Sequence, residues 1–158
     1  MIYSLCILCA GSSLKTVLCI QEEGLAHKER DHKFGYSYKK MAACLSCGSA
    51  QIEVYSHDCY AVEEPWDMYW WYGFEESSAK RLVEIIKECP SPLDPHCECT
   101  IHQSIQQQLK YIYGSAPYAK DAADAEYYCS LRLVQKIDAD PFVIEKDEGS
   151  IRRIKHPD

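Results

Sequence analysis

Alternating apolar and polar residues predict strands in the middle of the chain and near its end. Residues 51–56 alternate with the period of a half-buried strand. Residues 66–74, which follow Pro65, are rich in aromatic side chains and favour a second strand. Residues 127–134 alternate again, and 141–145 are expected to return as a short partner strand.

Two segments between these strands have the spacing of amphipathic helices. The first covers 79–89, with Ser77 or Ser78 as N-cap candidates. The second begins with a capping box at Thr100 and extends to Gly114, which supplies a stop. The order β-β-α-α-β-β predicts an α+β fold: an antiparallel sheet of about four strands with two helices on one face.

The first forty residues show neither a helical nor an alternating period, and the composition changes at Met41. We therefore expect a single folded domain over 41–158, with 1–40 as an N-terminal extension of uncertain order. The alternative is that the leading segment forms an edge strand and a loop packed on the domain.

Composition agrees with one globular domain. The chain has 158 residues, of which 47% are hydrophobic and 26% are charged, which disfavours a disordered, collagenous or coiled-coil protein. The longest apolar run is far shorter than the roughly 20 residues that cross a bilayer, so no membrane association is expected.

Negative charge is concentrated in the middle of the chain. The formal net charge is -7, and residues 53–98 hold eleven acidic against three basic residues, a net charge of -8. Such a field repels nucleic acid and attracts basic protein surfaces. The short basic stretch at 151–156 is expected to be a solvated terminus, so the sequence predicts a basic protein partner and no nucleic acid.

The ten cysteines of the chain point to a metal site. Cys44 and Cys47 are followed by Gly48, which tolerates the left-handed backbone of a zinc-knuckle-like turn. Clustered cysteines, with no positively charged segment of a signal peptide at the start of the chain, favour a cytoplasmic location and metal rather than disulfides.

A second group of ligands stands at the start of the second predicted helix, where Cys97 and Cys99 are followed by His102. A helix N-terminus lowers the pKa of nearby thiols and makes them better ligands. We expect one structural zinc ion bound by Cys97 and Cys99 together with Cys44 and Cys47, with His102 as the first substitute for either member of the second pair.

Other sets of ligands remain open. One local site would consist of Cys44, Cys47, His57 and Cys59, another of Cys89, Cys97, Cys99 and His102, and both could coexist as two zinc sites. Disulfides and reduced core cysteines are the alternatives without metal. Cys6 and Cys9 also form a CxxC pair, but it lies in an apolar run without a turn-forming glycine. We therefore interpret this pair as packing or extension rather than a redox motif, and Cys19 and Cys129 as packing residues.

The sequence contains no P-loop, GxGxxG, GxSxG or HExxH motif. The leading hypothesis is a non-enzymatic protein-binding domain, an inhibitor or immunity-type antidote that engages a basic toxin or nuclease. The expected contact surface consists of Glu63, Glu64, Trp66, Asp67, Tyr69 and Trp71, because exposed aromatic rings beside carboxylates suit a binding surface. The alternative is a small zinc- or thiol-dependent enzyme centred on His57 and Cys59 or on the loop at 97–102.

Overall fold

The computed structural model describes residues 5–24, 36–58, 66–110, 127–134 and 142–153. Their regular elements are β1 (Leu14–Gly24), β2 (Tyr36–Cys44), β3 (Ala50–Asp58), β4 (Trp66–Phe74), α1 (Glu76–Ile86), α2 (Thr100–Leu109), β5 (Tyr127–Val134) and β6 (Val143–Arg153).

One sheet contains all the described strands, in the order β1-β2-β3-β4-β5-β6. Strands β1 to β4 pair antiparallel with their neighbours, β5 runs parallel to β4, and β6 returns antiparallel to β5. The two helices lie in the connection from β4 to β5, as a crossover between parallel strands requires. The predicted α+β class with two helices is confirmed, and β1 to β4 form the predicted antiparallel sheet of four strands. The described strands β5 and β6 extend this sheet through one parallel pairing, which the sequence analysis does not predict.

The core lies between the helices and one face of the sheet. Leu18, Met41, Ile52 and Tyr72 are paired in register across β1 to β4 and are all buried. Partners in register share a face of the sheet. Both helices add apolar side chains to the same cluster, namely Ala79, Leu82 and Ile86 from α1 and Ile105 and Leu109 from α2, so both pack on this face.

The opposite face carries a row of aromatic rings. Tyr38, Tyr55 and Tyr69 are in register across β2, β3 and β4, and their successive ring centroids are 5.0 Å apart. Trp71 stacks on Tyr69 at 5.3 Å and is only 3% exposed. Neighbouring rings in this row cover one another, and the low exposure of Trp71 means that it contributes packing here rather than an exposed contact.

A buried carboxylate lies beside these rings. Glu53 is 3% exposed; its Oε2 accepts a hydrogen bond of 2.6 Å from the Tyr38 hydroxyl and forms an ion pair of 3.3 Å with Lys40 Nζ. Burial of the Tyr38 ring, together with the Glu53 charge, raises the pKa of Tyr38. The pairing compensates the cost of taking the Glu53 carboxylate out of water.

The expected domain boundary at Met41 falls inside β2. Residues 14–24 form β1 and pair with β2 at one edge of the sheet, which is the arrangement of the alternative interpretation. The register of β1 shifts between Thr16 and Leu18 and again between Cys19 and Gln21. Each bulge shifts the alternation of side chains by one residue, which explains why the sequence of β1 shows no clear period.

The second helix begins at the predicted Thr100, whereas α1 begins before the predicted N-caps Ser77 and Ser78, both of which lie inside it. The N-cap of α1 is Glu75, and its side chain forms no capping hydrogen bond, whereas the N-cap of α2 is Cys99. The predicted end of the second helix at Gly114 lies outside the described residues. Within the part of the chain that the structure describes, no helix has the length and apolar character needed to cross a membrane.

Candidate metal centres

Four thiols from two CxxC turns meet at one point. We call Cys6, Cys9, Cys44 and Cys47 the four-thiol group; their sulfurs all lie within 4.8 Å of one another. Cys6 Sγ is 3.6 Å from Cys47 Sγ, and Cys9 Sγ is 3.7 Å from Cys44 Sγ. Four sulfurs about 2.3 Å from one tetrahedral ion would be roughly 3.8 Å apart. The spacing therefore fits a shared metal ion and is far too long for disulfide bonds.

The turn at Cys6 is closed by two backbone hydrogen bonds. The Cys6 N–H donates to Gly11 O at 2.8 Å, and the Ala10 N–H donates to Cys6 O at 2.8 Å. Ala10 has a φ of 59°. The turn brings the Gly11 N–H to 3.4 Å from Cys9 Sγ, so that the backbone donates to the sulfur.

The turn at Cys44 has the same hydrogen bonds at the same spacing. The Cys44 N–H donates to Ser49 O at 2.8 Å, and the Gly48 N–H donates to Cys44 O at 3.1 Å. Gly48 has a φ of 77°. The two CxxC turns are thus equivalent local structures facing each other across the four sulfurs.

The turn at Cys6 is a site element that sequence reasoning missed. The sequence-based interpretation relies on a glycine directly after the second cysteine, and in this turn the left-handed position falls on Ala10 instead. Gly11, one residue later, allows a close approach, because a Cβ there would lie 3.2 Å from Cys9 Sγ. The spacing shared by the two CxxC turns, with a small residue after each, was the available signal.

A second group forms where α1, the following loop and α2 meet. We call Cys89, Cys97, Cys99 and His102 the thiol-imidazole group; their ligand atoms also lie within 4.8 Å of one another. Cys89 Sγ is 3.7 Å from Cys97 Sγ, 3.4 Å from Cys99 Sγ and 3.6 Å from His102 Nδ1. These distances also fit a tetrahedral ion with three sulfur ligands and one nitrogen ligand.

The imidazole of His102 is oriented for metal binding. The ring is fully buried, and Nε2 lies 2.8 Å from the carbonyl oxygen of Cys19. A carbonyl only accepts, so Nε2 carries the hydrogen and donates it. Nδ1 then has a free lone pair directed toward the three sulfurs, and a hydrogen bond of this kind commonly orients metal-bound histidines.

The structure separates the thiols that the sequence predicts to share one ion. Cys44 and Cys47 lie with the N-terminal CxxC pair, and Cys97, Cys99 and His102 lie with Cys89, which is one of the local alternatives. Leu14 of β1 pairs with Cys44, whereas His102 contacts β1 five residues further along, at Cys19. That is roughly 16 Å along a strand, too far for one ion to span.

The other predicted residues are distributed as follows. Glu63, Glu64 and Cys59 lie outside the described residues, and only the backbone of His57, Trp66 and Asp67 is described, within β3 and β4. Tyr69 is half-buried, and Trp71 is buried in the row of aromatic rings described above.

Ionisation differs among the thiols of the four-thiol group. Although the residue as a whole is exposed, desolvation of its sulfur raises the pKa of Cys9 to about 12. Burial also acts against ionisation of Cys47, but the Ser49 hydroxyl and N–H outweigh it and lower the pKa of Cys47 to about 7. Cys47 thus ionises easily, whereas burial raises the pKa of Cys6 and Cys9, and a divalent cation would favour the thiolate form of both.

In the comparison with known proteins, no protein-family model, curated protein or solved structure matches the chain. Fold and site define an α+β protein with two cysteine-rich groups that could each hold a metal ion.

We predict that Ala10→Gly stabilises the protein and Gly48→Ala destabilises it. A non-glycine residue in the left-handed region destabilises the folded state by about 1–2 kcal/mol. Glycine avoids this cost but loses about 0.5–1 kcal/mol more conformational entropy on folding than alanine does. We expect the free energy of unfolding to rise by about 0.5–1 kcal/mol for the first and to fall by about 1–2 kcal/mol for the second. An added Cβ at Gly48 would also lie 3.1 Å from Glu76 Cγ. Denaturant unfolding measures both changes, and Ala43→Gly in β2 is the control that should only destabilise; a loss of stability in Ala10→Gly would contradict the equivalence of the turns.

We predict that Cys47 is alkylated before Cys9 in the metal-free protein at pH 7, although Cys9 is the more exposed. The thiolate is the nucleophile, and a pKa of about 7 makes roughly half of Cys47 reactive at that pH. Its rate should rise with pH up to about 7 and then level off. Iodoacetamide labelling read by peptide mass spectrometry measures this order. Ser49→Ala should move the rise to higher pH, whereas Ser46→Ala in the same turn should not; faster labelling of Cys9 would refute the prediction.

Proposed function

We propose that this chain is a zinc-stabilised binding domain without catalytic activity, in which the four-thiol and thiol-imidazole groups each hold one structural zinc ion. The observation that carries this proposal is the tetrahedral spacing of four sulfur or nitrogen ligands in each group. Zinc prefers this ligand set and geometry, whereas calcium and magnesium require oxygen ligands.

A structural role follows from the number of ligands. Four protein ligands complete the coordination of zinc and leave no position for a water or a substrate, which a catalytic zinc needs. The alternative of an enzyme centred on the loop at 97–102 is disfavoured on this ground, because both thiols and the imidazole of that loop would be ligands.

Each ion would join an irregular segment to the sheet. Next to the four-thiol group, the Ile7 N–H donates to Gln51 Oε1 at 2.9 Å, and Gln51 Nε2 donates to Leu5 O at 3.1 Å. Gln51 is buried in β3, so these bonds fix the first CxxC turn against the sheet. The thiol-imidazole group similarly joins the loop after α1 to α2 and β1. Metal binding and folding are then coupled.

The partner in this proposal is a basic protein surface. Glu88, Asp94 and Glu98 are exposed around the thiol-imidazole group, and the loop at 88–99 contains no lysine or arginine. Leu93, between them, is 59% exposed. An exposed apolar residue in a loop that carries several exposed carboxylates suits docking of a cationic surface. The form we favour is an inhibitor or immunity-type antidote of a basic toxin or nuclease.

We predict two zinc ions per chain by elemental analysis of the purified protein. Cys44→Ser and Cys97→Ser should each lose one of the two. Chelation should lower Tm by about 10 °C or more, since each kcal/mol of stability is worth about 2–4 °C at this chain length. A single zinc ion per chain, lost completely in either variant, would indicate one shared site. The proposal would be refuted if the purified chain contained no zinc and the chelator did not change its Tm.

We predict that reversing three charges around the thiol-imidazole group weakens binding of a fluorescent decalysine peptide. The triple variant Glu88→Lys, Asp94→Lys and Glu98→Lys should lower the affinity about tenfold or more at low salt, with a smaller effect at high salt because ions screen exposed charges. The control is a second triple variant that changes the net charge by the same amount but lies on and beside α1, namely Glu75→Lys, Glu76→Lys and Glu84→Lys. Equal losses in the two variants would mean that only the net charge acts and would contradict a docking surface at the loop.

A further inference from the structure

The two edges of the described sheet differ in how they are protected. β6, at one edge, carries charged residues along its length, from Glu145 to Arg153. β1, at the other edge, has an uncharged run at 16–20, Thr-Val-Leu-Cys-Ile, that favours strand pairing. An uncharged edge of this kind pairs readily with another chain unless it is covered.

The loop of the thiol-imidazole group and α2 provide that cover. The Cys19 N–H donates to Pro92 O at 2.8 Å, His102 Nε2 donates to Cys19 O at 2.8 Å, and Gln106 Nε2 donates to Ile20 O at 2.6 Å. Successive carbonyls of a regular strand point to opposite sides, but the register of β1 shifts between Cys19 and Gln21. This shift explains why the neighbouring carbonyls of Cys19 and Ile20 can both accept hydrogen bonds from α2. Three backbone groups of Cys19 and Ile20 that a second strand would need are therefore already used.

The same residues hold the metal ligands. His102 faces the sulfurs with Nδ1 and the edge of β1 with Nε2. Pro92 belongs to the loop between Cys89 and Cys97, which contains neither helix nor strand. An ion bound by this group would therefore tie the loop to the His102 ring, which α2 carries, and without the ion no regular secondary structure holds the loop over the edge.

We propose that the zinc ion of the thiol-imidazole group controls access to the edge of β1, and that its loss allows residues 16–20 to pair with the same run in a second copy of this chain. This inference rests on the proposed function. A second copy is the partner because every chain carries the same edge, and two identical edges pair antiparallel about a twofold axis.

The test counts zinc ions and chains together by native mass spectrometry of the full chain. Cys97→Ser with Cys99→Ser should lose one zinc and double the mass of the particle relative to the parent. Cys44→Ser with Cys47→Ser, the matched control, should lose the other zinc and keep the mass of the parent. Adding Cys19→Pro to the first variant removes the N–H at the centre of the edge and should restore the mass of the parent, because proline is tolerated where that N–H faces away from the sheet.

The outcomes separate this inference from the proposed function. The edge inference alone is overturned if the folded Cys97→Ser, Cys99→Ser variant loses one zinc but keeps the mass of the parent. It is also overturned if the control variant doubles in mass to the same extent. A parent chain without zinc overturns both. If the variant does not fold, partial chelation of the parent decides instead: the doubled species should carry less zinc per chain than the single one, and equal zinc content overturns the inference.

Discussion

The arrangement of this fold depends on groups of thiols too close together to be stable as thiolates by themselves. Four sulfurs within 4.8 Å cannot all be charged without strong repulsion. Desolvation raises the pKa of Cys9, whereas hydrogen bonds from Ser49 outweigh burial and lower the pKa of Cys47, so the thiols do not ionise together. A divalent cation bound there would convert the repulsion into attraction. Because the ligands come from segments far apart in the chain, the same attraction would hold those segments in place.

The parts that sequence patterns predicted are those determined by local periodicity. Strands β3 and β4 and the start of α2 at Thr100 follow from residues close together in the chain. The grouping of the thiols does not, since Cys9 and Cys44 are 35 residues apart and Cys6 and Cys47 are 41 apart. Sheet pairing decides which CxxC turn meets which. The first turn was also hard to recognise because Ala10 has a positive φ, which alanine seldom adopts.

The two faces of the sheet illustrate another limit of pattern reading. The alternation in β4 places Tyr69 and Trp71 away from the helices, and the sequence predicts exposure there. Trp71 is instead buried on the face that also buries Glu53, whose carboxylate is paired with Lys40 and Tyr38. A polar residue in a strand does not reveal whether water or a hydrogen-bonded partner satisfies it, so alternation alone does not distinguish a covered face from an open one.

The start of α2 shows how closely the thiol-imidazole group and the helix depend on each other. Cys99 is the N-cap, and its Sγ accepts the His102 N–H at 3.3 Å, in the role that serine or threonine commonly takes. A helix of ten residues is marginal by itself, and a negatively charged sulfur at its N-terminus stabilises it. An ion that keeps Cys99 ionised therefore also stabilises the helix. His102 and Gln106, one turn apart on that helix, share the face that reaches the carbonyls of β1. Ligand binding, helix capping and the cover of the sheet edge thus depend on the first two turns of α2, and each would weaken if another were lost.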